Sequence, residues 1–107
     1  MKNATLKQEG NQIIIKDKKR TLTLNYIKIN GEKFVELYIN ETLAGTFPVE
    51  KKGSDIIWHI ENLTDRVTYE LYVSRSLFAM SAWRNEDFIW AFEKPTNIRK
   101  LYKIRHS

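Results

Sequence analysis

The chain has 107 residues, 42% of them hydrophobic, a formal charge of +5 and no cysteine, a size and composition that fit one domain over 1–107 able to bury a core without staples. The missing cysteines exclude disulfides, thiolate nucleophiles and thiolate metal sites together and point to a reducing compartment. With no export-type leader and no run of ~20 apolar residues to cross a bilayer, a cytoplasmic protein without a membrane partner is expected. The three Asn-x-Thr sequons, at Asn3, Asn40 and Asn62, then serve as turn and cap residues rather than glycan acceptors.

The β-branched run Ile13-Ile14-Ile15 predicts a short strand over 12–16, bounded by Gly10-Asn11 and by the basic run Lys16-Asp17-Lys18-Lys19-Arg20, which reads as a hairpin loop. A longer strand over 21–30 turns at Asn30-Gly31, a dipeptide that accepts the positive φ angles of a two-residue type I′ hairpin. That turn pairs Leu22 with Ile39, Leu24 with Leu37 and Tyr26 with Val35 on one apolar face. The apolar phase slips between Tyr26 and Ile27, which predicts either a bulge or a strand tip covered on both faces. At Asn40-Glu41-Thr42 a three-residue loop keeps the core face apolar by pairing Ile39 with Leu43 and Val35 with Phe47. Pro48, lacking a donor, marks this third strand as an edge or its end.

After the polar connector 51–54, Ile56, Trp58 and Ile60 share one face, and Val67, Tyr69, Leu71 and Val73 alternate cleanly with polar residues. These segments predict a second hairpin. Residues 76–84 suit a buried helix as well as a strand. A hairpin through Arg84-Asn85-Glu86-Asp87 favours the strand, because it opposes Trp83 to Phe88, Ser81 to Trp90 and Ala79 to Phe92, placing small residues against rings. It also sets Trp83, Phe88, Trp90 and Phe92 on one side and Phe78, Met80, Ala82, Ile89 and Ala91 on the other. Residues 98–105 fit a strand or a helix. The predicted fold is all-β, a mainly antiparallel meander closing as a small barrel or sandwich, with an α+β fold carrying one helix near residues 76–84 as the alternative.

Catalytic signals are sparse. No serine sits in a nucleophile elbow, and no glycine stands in a phosphate-loop motif. Two histidines without cysteine predict no metal site and no cofactor. The sharpest enzymatic reading is a metal-independent ribonuclease in which His59 and Glu61, two apart on a strand, act as base and acid while Arg66 or Arg75 steadies phosphate. A lone histidine between Trp58 and Ile60 is more simply a half-exposed sheet residue, so that reading ranks third and the chain is expected not to be an enzyme.

Charge and aromatic placement carry more. Residues 1–54 hold ten Lys/Arg against six Asp/Glu. The basic residues concentrate at Lys18, Lys19 and Arg20 and again at Arg99, Lys100, Lys103 and Arg105. The two clusters converge if the first and last strands are neighbours, and reversing the loop charges to glutamate is then expected to leave folding intact. Aromatics interleaved with cations, as at Phe34 beside Lys33 and at Trp83-Arg84, are also compatible with single-stranded nucleic acid. An exposed side of the Trp83, Phe88 and Trp90 hairpin would be a partner surface or a homodimer seam. The reading ranked first is a basic, non-enzymatic binding protein that docks on a protein or nucleoprotein partner and blocks it. As a general type this fits the small inhibitors made by phages and mobile elements. A single-stranded nucleic-acid-binding β-domain is second.

Overall fold

A computed structural model describes residues 4–49, 58–62, 66–74, 77–95 and 103–105. Five antiparallel strands follow one another in space as in sequence: β1 (Thr5–Glu9), β2 (Gln12–Lys16), β3 (Thr21–Ile29), β4 (Glu32–Ile39) and β5 (Thr42–Pro48). The second sheet is a meander of β6 (Trp58–Asn62), β7 (Val67–Val73), β8 (Leu77–Arg84) and β9 (Asp87–Pro95). A short β10 (Lys103–Arg105) joins the first sheet in parallel beside β3. The described residues contain no helix, and strand at Leu77–Arg84 selects the all-β fold over the α+β alternative.

The first hairpin forms as its turn residues dictate. Asn30 and Gly31 take φ of 49° and 82°, and Leu22 faces Ile39, Leu24 faces Leu37 and Tyr26 faces Val35. Leu22, Leu24, Tyr26, Val35 and Leu37 are fully buried. They meet Val67, Tyr69, Leu71, Phe78, Met80 and Trp90 of the second sheet in one apolar cluster, so the two sheets form a sandwich.

The phase slip at Tyr26 and Ile27 is a doubly covered tip, not a bulge. The β3–β4 register runs unbroken through both residues, and both are buried. Here β2 ends and β10 replaces it along Ile27–Ile29. Asn11 closes the ladder at the handover: its carbonyl accepts the Tyr26 N–H at 2.9 Å, and its amide donates to the Tyr26 carbonyl at 3.1 Å and to Asn25 Oδ1 at 2.8 Å.

Two bulges depart from the expected registers. The β4–β5 turn has two residues, with Asn40 at φ 55°, so Ile39 faces Thr42 rather than Leu43. A shift between Leu37 and Tyr38 then restores Val35 opposite Phe47, as the burial pattern demands. In β8–β9, Trp83 faces Phe88 as expected, but a shift between Ala82 and Trp83 brings Ala82 opposite Trp90 and Met80 opposite Phe92. The expected Ser81–Trp90 and Ala79–Phe92 pairs are therefore absent. The bulge turns Trp90 into the core, and at ~25 cal/mol per Å² a fully buried indole of its size gains about 4–6 kcal/mol of transfer free energy.

Candidate functional site

The basic loop between β2 and β3 is built around Asp17. Its Oδ1 accepts the backbone N–H groups of Lys19 at 2.8 Å and Arg20 at 2.9 Å, and its own N–H donates to the Arg20 carbonyl at 3.1 Å. This closed turn leaves Lys18 and Lys19 exposed and sends Arg20 inward. Arg20 Nη1 donates to the Tyr69 hydroxyl at 2.7 Å, and Nε lies 3.5 Å from Asp17 Oδ2. Its side chain is 5% exposed. Arg20, expected among the surface cations, is instead a tie from the loop of one sheet to the core of the other.

The tie continues into the second sheet. The Tyr69 ring lies 6.0 Å from that of Trp90, which lies 5.4 Å from that of Phe92. Trp90 is 1% exposed, which corrects its expected place beside Trp83 and Phe88 on an outer face. Those two do meet, ring centroids 5.2 Å apart and edge to face, with Phe88 57% exposed. The Trp83 indole N–H donates to Ser81 Oγ at 3.0 Å.

Between the loop and this hairpin lies a cleft of about 150 Å³ lined by Asp17, Lys18, Lys19, Arg20, Arg84, Ile89 and Trp90. The fold thus joins the loop cations to Trp90 and adds Arg84, which the sequence presented as a hairpin-turn residue and the neighbour of Trp83. Among the described residues, Lys18, Lys19 and Arg84 have no carboxylate within ion-pair distance.

The C-terminal cluster does not join them through β10. Lys103–Arg105 run beside Ile27–Ile29, at the end of β3 opposite to Arg20 and ~20 Å or more away at ~3.3 Å per residue. Lys28 and Lys33 face each other at that same far end. Arg99 and Lys100 lie outside the described residues.

On the outer face of the second sheet, His59 Nδ1 stands 3.7 Å from Glu70 Oε2, its cross-strand partner, and Ser81 Oγ donates to Glu70 Oε1 at 3.4 Å. Beside them runs an open trough of about 450 Å³ whose floor is Ala79, Ser81 and Ala91. His59 and Glu61 are both exposed, Arg66 is exposed in the β6–β7 turn with φ 58°, and Arg75 lies outside the described residues. Among the described residues, no three carboxylates or histidines are grouped to hold a metal ion, and no helix is long and apolar enough to cross a membrane. Comparison with protein families, curated proteins and solved structures gives no match to the chain.

Proposed function

We propose that this is a non-enzymatic binding protein of the phage or mobile-element inhibitor type, which docks on a protein partner in the cytoplasm and blocks it. Docking uses the end of the sandwich where the β2–β3 loop meets the β8–β9 hairpin. The observation that carries the reading is the meeting of Lys18, Lys19 and Arg84 in one cleft with an apolar wall of Ile89 and Trp90, on the hairpin that also presents Phe88 at 57% exposure. Aromatic residues and arginine are enriched in interface cores, and lysines suit the polar rim around them. The cations, in a chain of net charge +5, would steer an acidic partner toward the cleft.

Charge placement favours a protein over a single nucleic-acid strand. A strand's backbone needs a basic track, whereas among the described residues Lys18 and Lys19 stand before the start of β3 and Lys28, Lys33 and Lys103–Arg105 at its far end.

The test is the association kinetics of Lys18→Glu/Lys19→Glu and of Phe88→Ala with a partner isolated by crosslinking and identified by mass spectrometry. The charge reversal is expected to slow association by about tenfold or more, with thermal stability unchanged, and Phe88→Ala to speed dissociation. A partner that binds both variants like the parent would overturn the proposal. A loss of log affinity linear in log salt, with a slope of several phosphates, would identify nucleic acid instead.

A further inference from the structure

We infer that the cleft between the β2–β3 loop and β9 is a carboxylate subsite, which seats one Asp or Glu side chain of the partner among Lys18, Lys19 and Arg84 and hydrogen-bonds it through the Trp90 indole. The inference rests on the docking reading above and adds to it the chemistry of the group recognised.

Three independent features converge on this cleft. Lys18, Lys19 and Arg84 line it without an acidic partner among the described residues, while Asp17, the one carboxylate in its wall, is already engaged by two loop amides and by Arg20. Among the described residues the buried Trp90 Nε1 has no hydrogen-bond acceptor, and a buried donor without one is rare in folded proteins. Trp83 differs, its N–H being satisfied by Ser81 at 3.0 Å. The volume, about 150 Å³, is that of roughly five waters at ~30 Å³ each, room for a carboxylate and its short aliphatic stem. Ile89 and Trp90 offer apolar surface to the stem, and a guanidinium fork such as Arg84 matches the planar head. The N–H is shielded in the free chain, so acceptance of the ligand requires side chains of the cleft to move. A phosphodiester brings bulk on both sides and continues to further phosphates, whereas Lys28 and Lys33 stand at the far end of β3.

The indole N–H of Trp90 is itself the reporter. In ¹H–¹⁵N spectra of the full chain, whose three indole signals are assigned with Trp58→Phe and Trp83→Phe variants, the protein is titrated with a blocked peptide carrying a single glutamate, its glutamine counterpart, inorganic phosphate and a short single-stranded oligonucleotide. The expected result is a saturable downfield shift of the Trp90 indole proton with the glutamate peptide alone, a smaller change at Trp83, and about tenfold weaker binding in Arg84→Gln. No Trp90 shift, or an equal shift with the glutamine peptide, would overturn the subsite. Stronger shifts with phosphate or oligonucleotide at matched ionic strength would overturn its assignment to carboxylate. The two readings fail separately. Partner binding that needs Lys18 and Lys19 without any Trp90 response sinks the subsite alone, whereas a glutamate-specific Trp90 response with partner binding indifferent to those lysines sinks the docking reading.

Discussion

Arg20→Ala is expected to destabilise the protein by about 3–5 kcal/mol, the usual cost of breaking a buried, hydrogen-bonded charge pair from one side. The guanidinium is 5% exposed and spans from Asp17 Oδ2 at 3.5 Å to the Tyr69 hydroxyl at 2.7 Å. Its removal leaves Asp17, 11% exposed on its side chain, without that cation, and cuts the link between the loop and the second sheet. Tyr69→Phe deletes only the hydroxyl and should cost about 0.5–3 kcal/mol. Urea denaturation of both variants and of the double variant would show a coupling energy, because the two side chains share one contact. Lys18→Ala and Lys19→Ala, exposed in the same loop, should stay within about 0.5 kcal/mol. An Arg20→Ala loss under about 1 kcal/mol would mean that the tie is unimportant. The expectation that all three loop cations tolerate reversal is therefore corrected: it applies to the lysines, and a variant that includes Arg20→Glu would confuse lost binding with lost folding.

Trp90→Ala should cost about 3–5 kcal/mol, the range for emptying a large aromatic site in a core. Its ring sits between Tyr69 and Phe92 and opposite Ala82, which leaves no spare side-chain bulk to refill the space. Phe88→Ala, two residues earlier and 57% exposed, should cost only about 0.5–1.5 kcal/mol, the worth of its edge-to-face contact with Trp83. Equal costs at the two positions would contradict the β8–β9 bulge, since an unbroken two-residue register would put both rings on one face. Thermal unfolding of the pair is sufficient to decide.

Local signals carried most of the fold. Asn30-Gly31 set a turn, the turn set a register, and of the six residues the register put on the core face five are fully buried and Ile39 is half-buried. The alternation of Val67 to Val73 likewise appears as a strand with every second residue buried. What escaped were the bulges, for a definite reason. Asn40 and Asn85 both accept positive φ in tight two-residue turns, and one extra residue placed a few positions later reconciles that turn with the core. Local turn chemistry and distant burial each act on part of the strand, and neither alone marks where the extra residue falls.

The candidate site was less legible. Lys18 and Lys19 were visible as loop cations, but the turning of Arg20 depends on a hydroxyl 49 residues away. Arg84 enters the cleft because the hairpin ends there, a placement set by the packing of two sheets. Convergence of the C-terminal cations on the loop required the first and last strands to be neighbours, whereas Lys103–Arg105 in β10 pair with the far end of β3, where β2 has already stopped.

Hydrogen–deuterium exchange of the protein with and without its identified partner tests the docking surface most directly. Docking at the cleft slows exchange in the partner-bound state over residues 17–20 and 83–90, the loop and the hairpin end that share it, and leaves the outer face of β6–β8 unchanged. Protection confined to that outer face, around His59, Glu70 and Ser81, with residues 17–20 exchanging as in the free protein, would contradict it.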